Sequence, residues 1–228
     1  MPIDSTMTDI KICSASLRLI GAKAISDFTS DSNQPAGGIC QEAYPLFKKA
    51  ILAEHPWKFA FKKLQLSQEV EVPINQWDHQ YLFPNDRIEN GIYALYDTDA
   101  VDATTFREFE IFGERIMSNA DALWLDYVYN APESLWPFDF IDFIQVAFAA
   151  RIAVAIKGVS ARDIRNDLNF EAYGNPNVGG SLGRGKYQAV KTSNSIDSPS
   201  TAYGDNTLEA ARFGGIFPTI TGGERYIF

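Results

Sequence analysis

This sequence has few of the side chains that carry out chemistry. Its 228 residues include two cysteines, Cys13 and Cys40, and two histidines, His55 and His79. Two cysteines without a paired spacing exclude a disulfide framework and a zinc ribbon, and free, reduced thiols are expected. Positive charge is scarce too: 20 Lys and Arg face 29 Asp and Glu, for a formal net charge of −9. A general nucleic-acid binder is basic, so that class is excluded. An acidic wall past which DNA slides without sticking is not. The opening MPIDSTMTDIK lacks a basic region followed by an apolar run, so no secretory signal is expected. The most apolar stretch, Leu135 to Lys157, carries Asp142, Gln145 and Arg151 inside it, which argues against a membrane span.

That same stretch organises what is there. Asp142 and Arg151 are nine residues apart, about 180° around a helix, so no wide polar stripe remains and a buried helix is expected. Ser134 can cap it, Pro137 suits its first turn, and Gly158 ends it. Ahead of it, residues 8–20 read as a helix capped by Thr8 or Asp9. A second helix reads from Ile39 to Glu54, kinked at Pro45. The period then changes to two at Trp57, Phe59 and Phe61. Short strand-like runs follow at Gln80–Phe83, Ile92–Tyr96, Phe106–Phe112, Arg115–Ser118 and Leu123–Tyr129. After the long helix a shorter one is expected from Ser160 to Tyr173, with Ser160 and Asp163 as a capping box.

From Gly174 the composition shifts. Ten of the sixteen glycines lie there, with aromatic residues spaced widely among them. Such a segment orders best against another chain. The expected class is therefore α+β: a helical bundle with an inserted small antiparallel β domain and an extended C-terminal arm. The helical part takes residues 1–60 and 131–173, the β domain 61–130 and the arm 174–228.

Several candidate chemistries are weak. Gly180-Ser-Leu-Gly-Arg-Gly185-Lys186 fits most of a phosphate-binding loop, but Tyr187 stands where the magnesium ligand belongs. No buried strand precedes it and no helix is evident after it. Cys40 with His55 or His79 could form a nucleophile and base, although a thiol on an apolar helix side is ordinarily packing. Asp139 and Asp142 could share a metal but lack an accompanying Glu-x-x-His, and Asp139 more simply supports the helix start. Glu108 and Glu110 share a strand face as acid–base pairs can, beside Arg107 and Arg115, which suggest a solvated charged face. Arg151, deep in the long helix, is expected to be a buried charge that needs a carboxylate, a carbonyl or a subunit boundary, with a partner in the same chain favoured. No catalytic residue, metal or cofactor is expected.

The order of these pieces carries a resemblance over roughly Asp9 to Tyr173. The pieces are Leu17-Arg-Leu-Ile-Gly21, Trp57-Lys-Phe59, Tyr81-Leu-Phe-Pro84-Asn-Asp86, Phe109-Glu-Ile-Phe-Gly113, Arg115-Ile-Met, Leu123–Tyr129, Leu135-Trp-Pro137-Phe138 and Phe148-Ala-Ala-Arg151. Together they resemble the tail tubular protein A family, the head-to-tail adaptors of short-tailed phages. Ala22-Lys-Ala replaces that family's proline-bearing segment, and the closing helix is short.

The resemblance implies a virion protein, assembled in the host cytoplasm as a twelve-fold ring between the portal protein and the tail nozzle protein. Viral DNA would pass through its lumen without sequence-specific binding, and no membrane is involved. On this reading Arg184, Lys186, Tyr187, Lys191, Tyr203, Phe213, Phe217 and Phe228 form the portal or subunit interface. The alternatives are a connector of another tailed-phage type, such as a stopper or tail terminator, and a small carboxylate-based glycan hydrolase.

Overall fold

The computed structural model describes residues 7–28, 35–71, 73, 76–100, 103–178 and 183–196. The chain divides into two units, Met1–Asn194 and Ser195–Phe228, and the first holds nearly all of the described residues. It is α+β, with five helices and two small antiparallel sheets among the described residues.

Helix α1, Asp9–Leu19, begins where Thr8 accepts a hydrogen bond from the Lys11 amide. Its apolar side, Ile12, Cys13 and Leu17, is fully buried. Helix α2, Ala36–Ala53, starts three residues earlier than its periodicity predicts and runs on through Pro45. The alternation at Trp57, Phe59 and Phe61 is not a strand throughout. Lys58–Ala60 is a one-turn 3₁₀ helix, and strand β1 covers only Phe61–Gln65. Trp57 and Ala60 are both fully buried, because the Trp57 ring turns into the helical core and its Nε1 donates to the Ile51 carbonyl.

The β part follows. Strand β1 continues through Leu66 into β2, Ser67–Gln68, and so passes from one sheet to the other. The first sheet has the order β1-β7-β4, with β4 spanning Arg87–Tyr96 and β7 Trp124–Tyr129. The second has the order β2-β3-β6-β5, with β3 at His79–Leu82, β5 at Phe109–Phe112 and β6 at Arg115–Ser118. All pairings are antiparallel. Between the sheets lie Leu66, Tyr81, Phe83, Leu95, Ile116, Leu123, Leu125 and Tyr127, a core separate from the helical one. The Pro84–Asp86 turn is pinned at Asp86, which accepts from the Tyr127 hydroxyl at 2.9 Å and from Lys62 Nζ at 2.8 Å.

The long helix, α3, spans Phe138–Lys157. Ser134 lies in the preceding 3₁₀ turn and caps nothing; Asp139 Oδ1 accepts from the Phe140 amide instead. Eleven of its twenty residues are buried, including every one from Val146 to Ala150. At about 1.5–3 kcal/mol for each large apolar side chain, it dominates the core. It packs against α1, α2 and α4. Arg151 corrects its sequence reading: it is exposed and needs no buried partner. Asp142 is exposed as well, and the nine residues between the two place them on opposite sides of the helix.

After Gly158 a one-turn 3₁₀ helix, Val159–Ala161, leads into α4, Arg162–Tyr173. The expected capping box does not form, since the Ser160 hydroxyl donates back to the Lys157 carbonyl at 3.3 Å. The arm expected from Gly174 is corrected over its first part. Residues 186–196 form a fifth helix, α5, Lys186–Ile196, whose Val190 is buried in the helical core.

Candidate functional site

The expected interface residues fall into two groups. Tyr203, Phe213, Phe217 and Phe228 lie outside the described residues. Arg184, Lys186, Tyr187 and Lys191 lie on or just before α5, and Lys186 and Tyr187 are engaged with the body of the same chain. Lys186 Nζ pairs with Asp142 of α3 and, at 3.2 Å, with Glu171 of α4. Burial lowers its affinity for a proton, but the two carboxylates outweigh that and the net shift is upward. Tyr187 is half-buried among the rings of Trp57, Phe143 and Tyr173, with centroids 6.1, 5.3 and 5.8 Å away. Lys191 Nζ sits 5.4 Å from the Tyr187 ring. Only Arg184 is exposed. The aromatic side chains chosen as anchors for another chain thus include one that anchors its own helix.

Asn194 fixes the far end of α5. Its Oδ1 accepts from the Lys58 amide at 3.0 Å, which leaves its Nδ2 facing His55 Nε2 at 3.1 Å. That ring nitrogen must therefore accept, and the imidazole is neutral. Burial and then the Lys191 charge push the His55 pKa below its ordinary value.

The phosphate-loop pattern also resolves into packing, although a helix does follow it. Residues 180–182 lie outside the described residues. Gly174 and Arg184 form an isolated antiparallel bridge. A Cβ on Gly183 would stand 1.8 Å from the Val178 carbonyl oxygen, and one on Gly185 would stand 2.2 Å from the Gly174 nitrogen. The glycines let the chain cross itself, and Lys186 is held by carboxylates rather than left for phosphate.

The remaining pairs are kept apart by their own partners. Cys40 meets Cys13, whose thiol is pushed upward first by that hydrogen bond and then by burial. His79 meets Gln68 at 2.8 Å and Asp121 at 3.5 Å. Glu108 and Glu110 are exposed, and Glu110 accepts from Trp77 Nε1 at 2.9 Å. Among the described residues no group of three or more His, Cys, Asp or Glu could hold a metal ion. None of their helices is long and apolar enough to cross a membrane.

What the sequence reading missed is an open seam in the β part. In the loop before β5 the Phe106 amide donates to the Leu95 carbonyl of β4 at 2.7 Å, and β4 and β5 themselves do not pair among the described residues. β4 ends one sheet and β5 ends the other. Phe112 is 70% exposed, Tyr93 63% and Ile111 46%. Unpaired backbone beside apolar side chains is a surface for joining another strand, with no geometry for bond making. A faint signal was present: Phe109-Glu-Ile-Phe112 places apolar residues on both faces, where a half-buried strand alternates. No protein-family model matches the sequence, and a search of curated proteins finds no match.

Proposed function

We propose that this chain is a structural subunit of a short-tailed phage virion. On this reading it is a head-to-tail adaptor, a ring between the portal protein and the tail nozzle protein that lines the DNA exit channel. The observation that supports the reading best is the interleaved architecture. Residues 9–60 and 131–173 build one helical core around α3, and an antiparallel β part is inserted between them. This is the order of elements in which the sequence resembles the tail tubular protein A family. A formal net charge of −9 suits a channel through which DNA moves without being held. The open strand edge and the aromatic residues beyond Ile196 suit a protein that works by joining other chains.

Twelve-fold symmetry, contact with portal and nozzle, and a place at the head–tail interface all belong to this proposal. Since α5 packs on the body, the segment assigned to docking is 197–228, with Tyr203, Phe213, Phe217 and Phe228 as its anchors.

Electron microscopy of the purified chain mixed with portal rings tests it. The full chain is expected to add a ring to one face of the portal. A chain ending at Ile196 is expected to keep its circular dichroism and lose that ring. A full chain that leaves portal rings bare, or a truncated one that decorates them unchanged, removes the adaptor reading.

A further inference from the structure

We propose that the seam beside β5 is a strand acceptor, and that its occupant is the carboxyl-terminal stretch Glu224–Phe228 of a second copy of this chain. The proposal rests on the ring reading, which gives every subunit a neighbour.

The acceptor side follows from hairpin geometry. Phe112 and Arg115 face each other across the two-residue turn Gly113-Glu114, with Gly113 at φ +61°. The residue pair that closes such a turn exchanges both of its backbone hydrogen bonds. The next residue, Ile111, therefore directs its own N–H and C=O away from β6, toward the open edge. No backbone hydrogen bond across that edge involves Ile111 among the described residues. An added strand would satisfy those groups and cover Ile111 and Phe112. Native proteins ordinarily blunt such an edge with lysine or proline, and β5 has neither.

The donor side follows from length and composition. Twenty-seven residues, 197–223, separate the end of α5 from Glu224. Extended, they reach roughly 90 Å, whereas a folded body of this length is roughly 40 Å across. The tail can therefore span to a neighbour. Its last residues, Arg225-Tyr-Ile-Phe228, combine strand-favouring aromatic and β-branched side chains without proline. The donor is net neutral, its Arg225 balancing Glu224, and so brings no net charge against Glu110, the one carboxylate of β5. The other aromatic stretch of the tail, Ile216-Phe-Pro-Thr-Ile220, is interrupted by Pro218 and makes a poorer strand.

A fluorescein-labelled peptide of residues 220–228, titrated into the full chain and followed by anisotropy, tests the acceptor. Saturable binding is expected. Ile111→Pro removes the outward N–H without touching the β5–β6 ladder, and Phe112→Asp removes the apolar cover. Each is expected to weaken the peptide at least tenfold, in protein whose melting temperature shows it folded. Hydrogen exchange of the unlabelled full chain tests the donor: protection of residues 109–112 is expected to rise with protein concentration. Absence of peptide binding, or binding equal in both variants, overturns the proposal. So does protection that stays flat with concentration, whether high, as when a chain fills its own seam, or low. The portal experiment reads independently of these. Peptide binding by a chain that ignores portal would sink the adaptor alone, and portal rings that form without tail exchange would sink this inference alone.

Discussion

Lys48 and Glu133 form an ion pair that neither neighbourhood announces. Their charged atoms are 3.0 Å apart, with side chains only 11% and 13% exposed, and the Tyr44 hydroxyl donates to the same carboxylate oxygen at 3.1 Å. The Trp136 ring stands 5.3 Å from the ammonium. Removing one member leaves the other buried and uncompensated, at a cost of about 3–5 kcal/mol. Lys48→Met and Glu133→Gln are each expected to lower the urea midpoint sharply, and the double variant to recover most of the loss. A double variant as unstable as the sum of the singles would show that the pair is not coupled. Asp126 offers the opposite case. Burial raises its pKa, the Lys63 charge and a hydrogen bond from Tyr96 offset this only in part, and its Oδ1 has no partner among the described residues. A group whose folded pKa is raised stabilises below its unfolded value and loses that contribution as pH rises through the folded one. Asp126→Asn is therefore expected to melt at or above wild type at pH 7, with a gain of at most about 1 kcal/mol. The advantage should shrink toward pH 4, as paired thermal melts would show.

At the scale of elements, α5 is the informative one. It is held at Lys186, Tyr187, Val190 and Asn194, all on one side, and its removal would uncover the rings of Trp57, Phe143 and Tyr173. Tyr187→Ala is expected to speed amide exchange across residues 186–194 by tenfold or more while α1 keeps its protection. Equal loosening of both would mean that α5 is not a separately docked element. Acid should act at the other end. The folded His55 has a depressed pKa, so its contribution is present above the unfolded value of about 6.5 and is lost as pH falls through the folded one. The imidazolium cannot accept from Asn194 and repels Lys191. Protection at the carboxyl end of α5, corrected for the intrinsic exchange rate, should therefore fall below about pH 6.5, and Asn194→Ala should abolish most of that dependence. The expectation of an extended arm failed here because Tyr187 and Val190 occur in a glycine-rich context. Composition does not show that Gly174, Gly183 and Gly185 serve one close crossing of the chain.

For the whole molecule, α3 joins segments distant in sequence, and its loss should be felt everywhere in the helical part. Phe140→Ala empties a fully buried site among Trp57, Phe59, Trp136 and Phe143, and should cost about 3–5 kcal/mol. The net charge of −9 makes a separate prediction. At about 0.15 M salt the chain should not retard duplex DNA in a gel, since it has no cationic excess with which to release counterions. Retardation there would be incompatible with a non-sticking channel wall.

The α+β class, the apolar central helix, most of the β-part strands and the scarcity of chemical groups were all legible in the sequence. Periodicity, turn residues and composition are local properties that every folded arrangement must respect. What tertiary structure alone decided is which side of each element is covered. Arg151 inside an apolar run turned out exposed, Lys48 in a mixed helix turned out buried, and a strand with apolar residues on both faces was left at an open edge. Burial is set by which neighbours stop where along an element, and that depends on contacts between residues far apart in the chain.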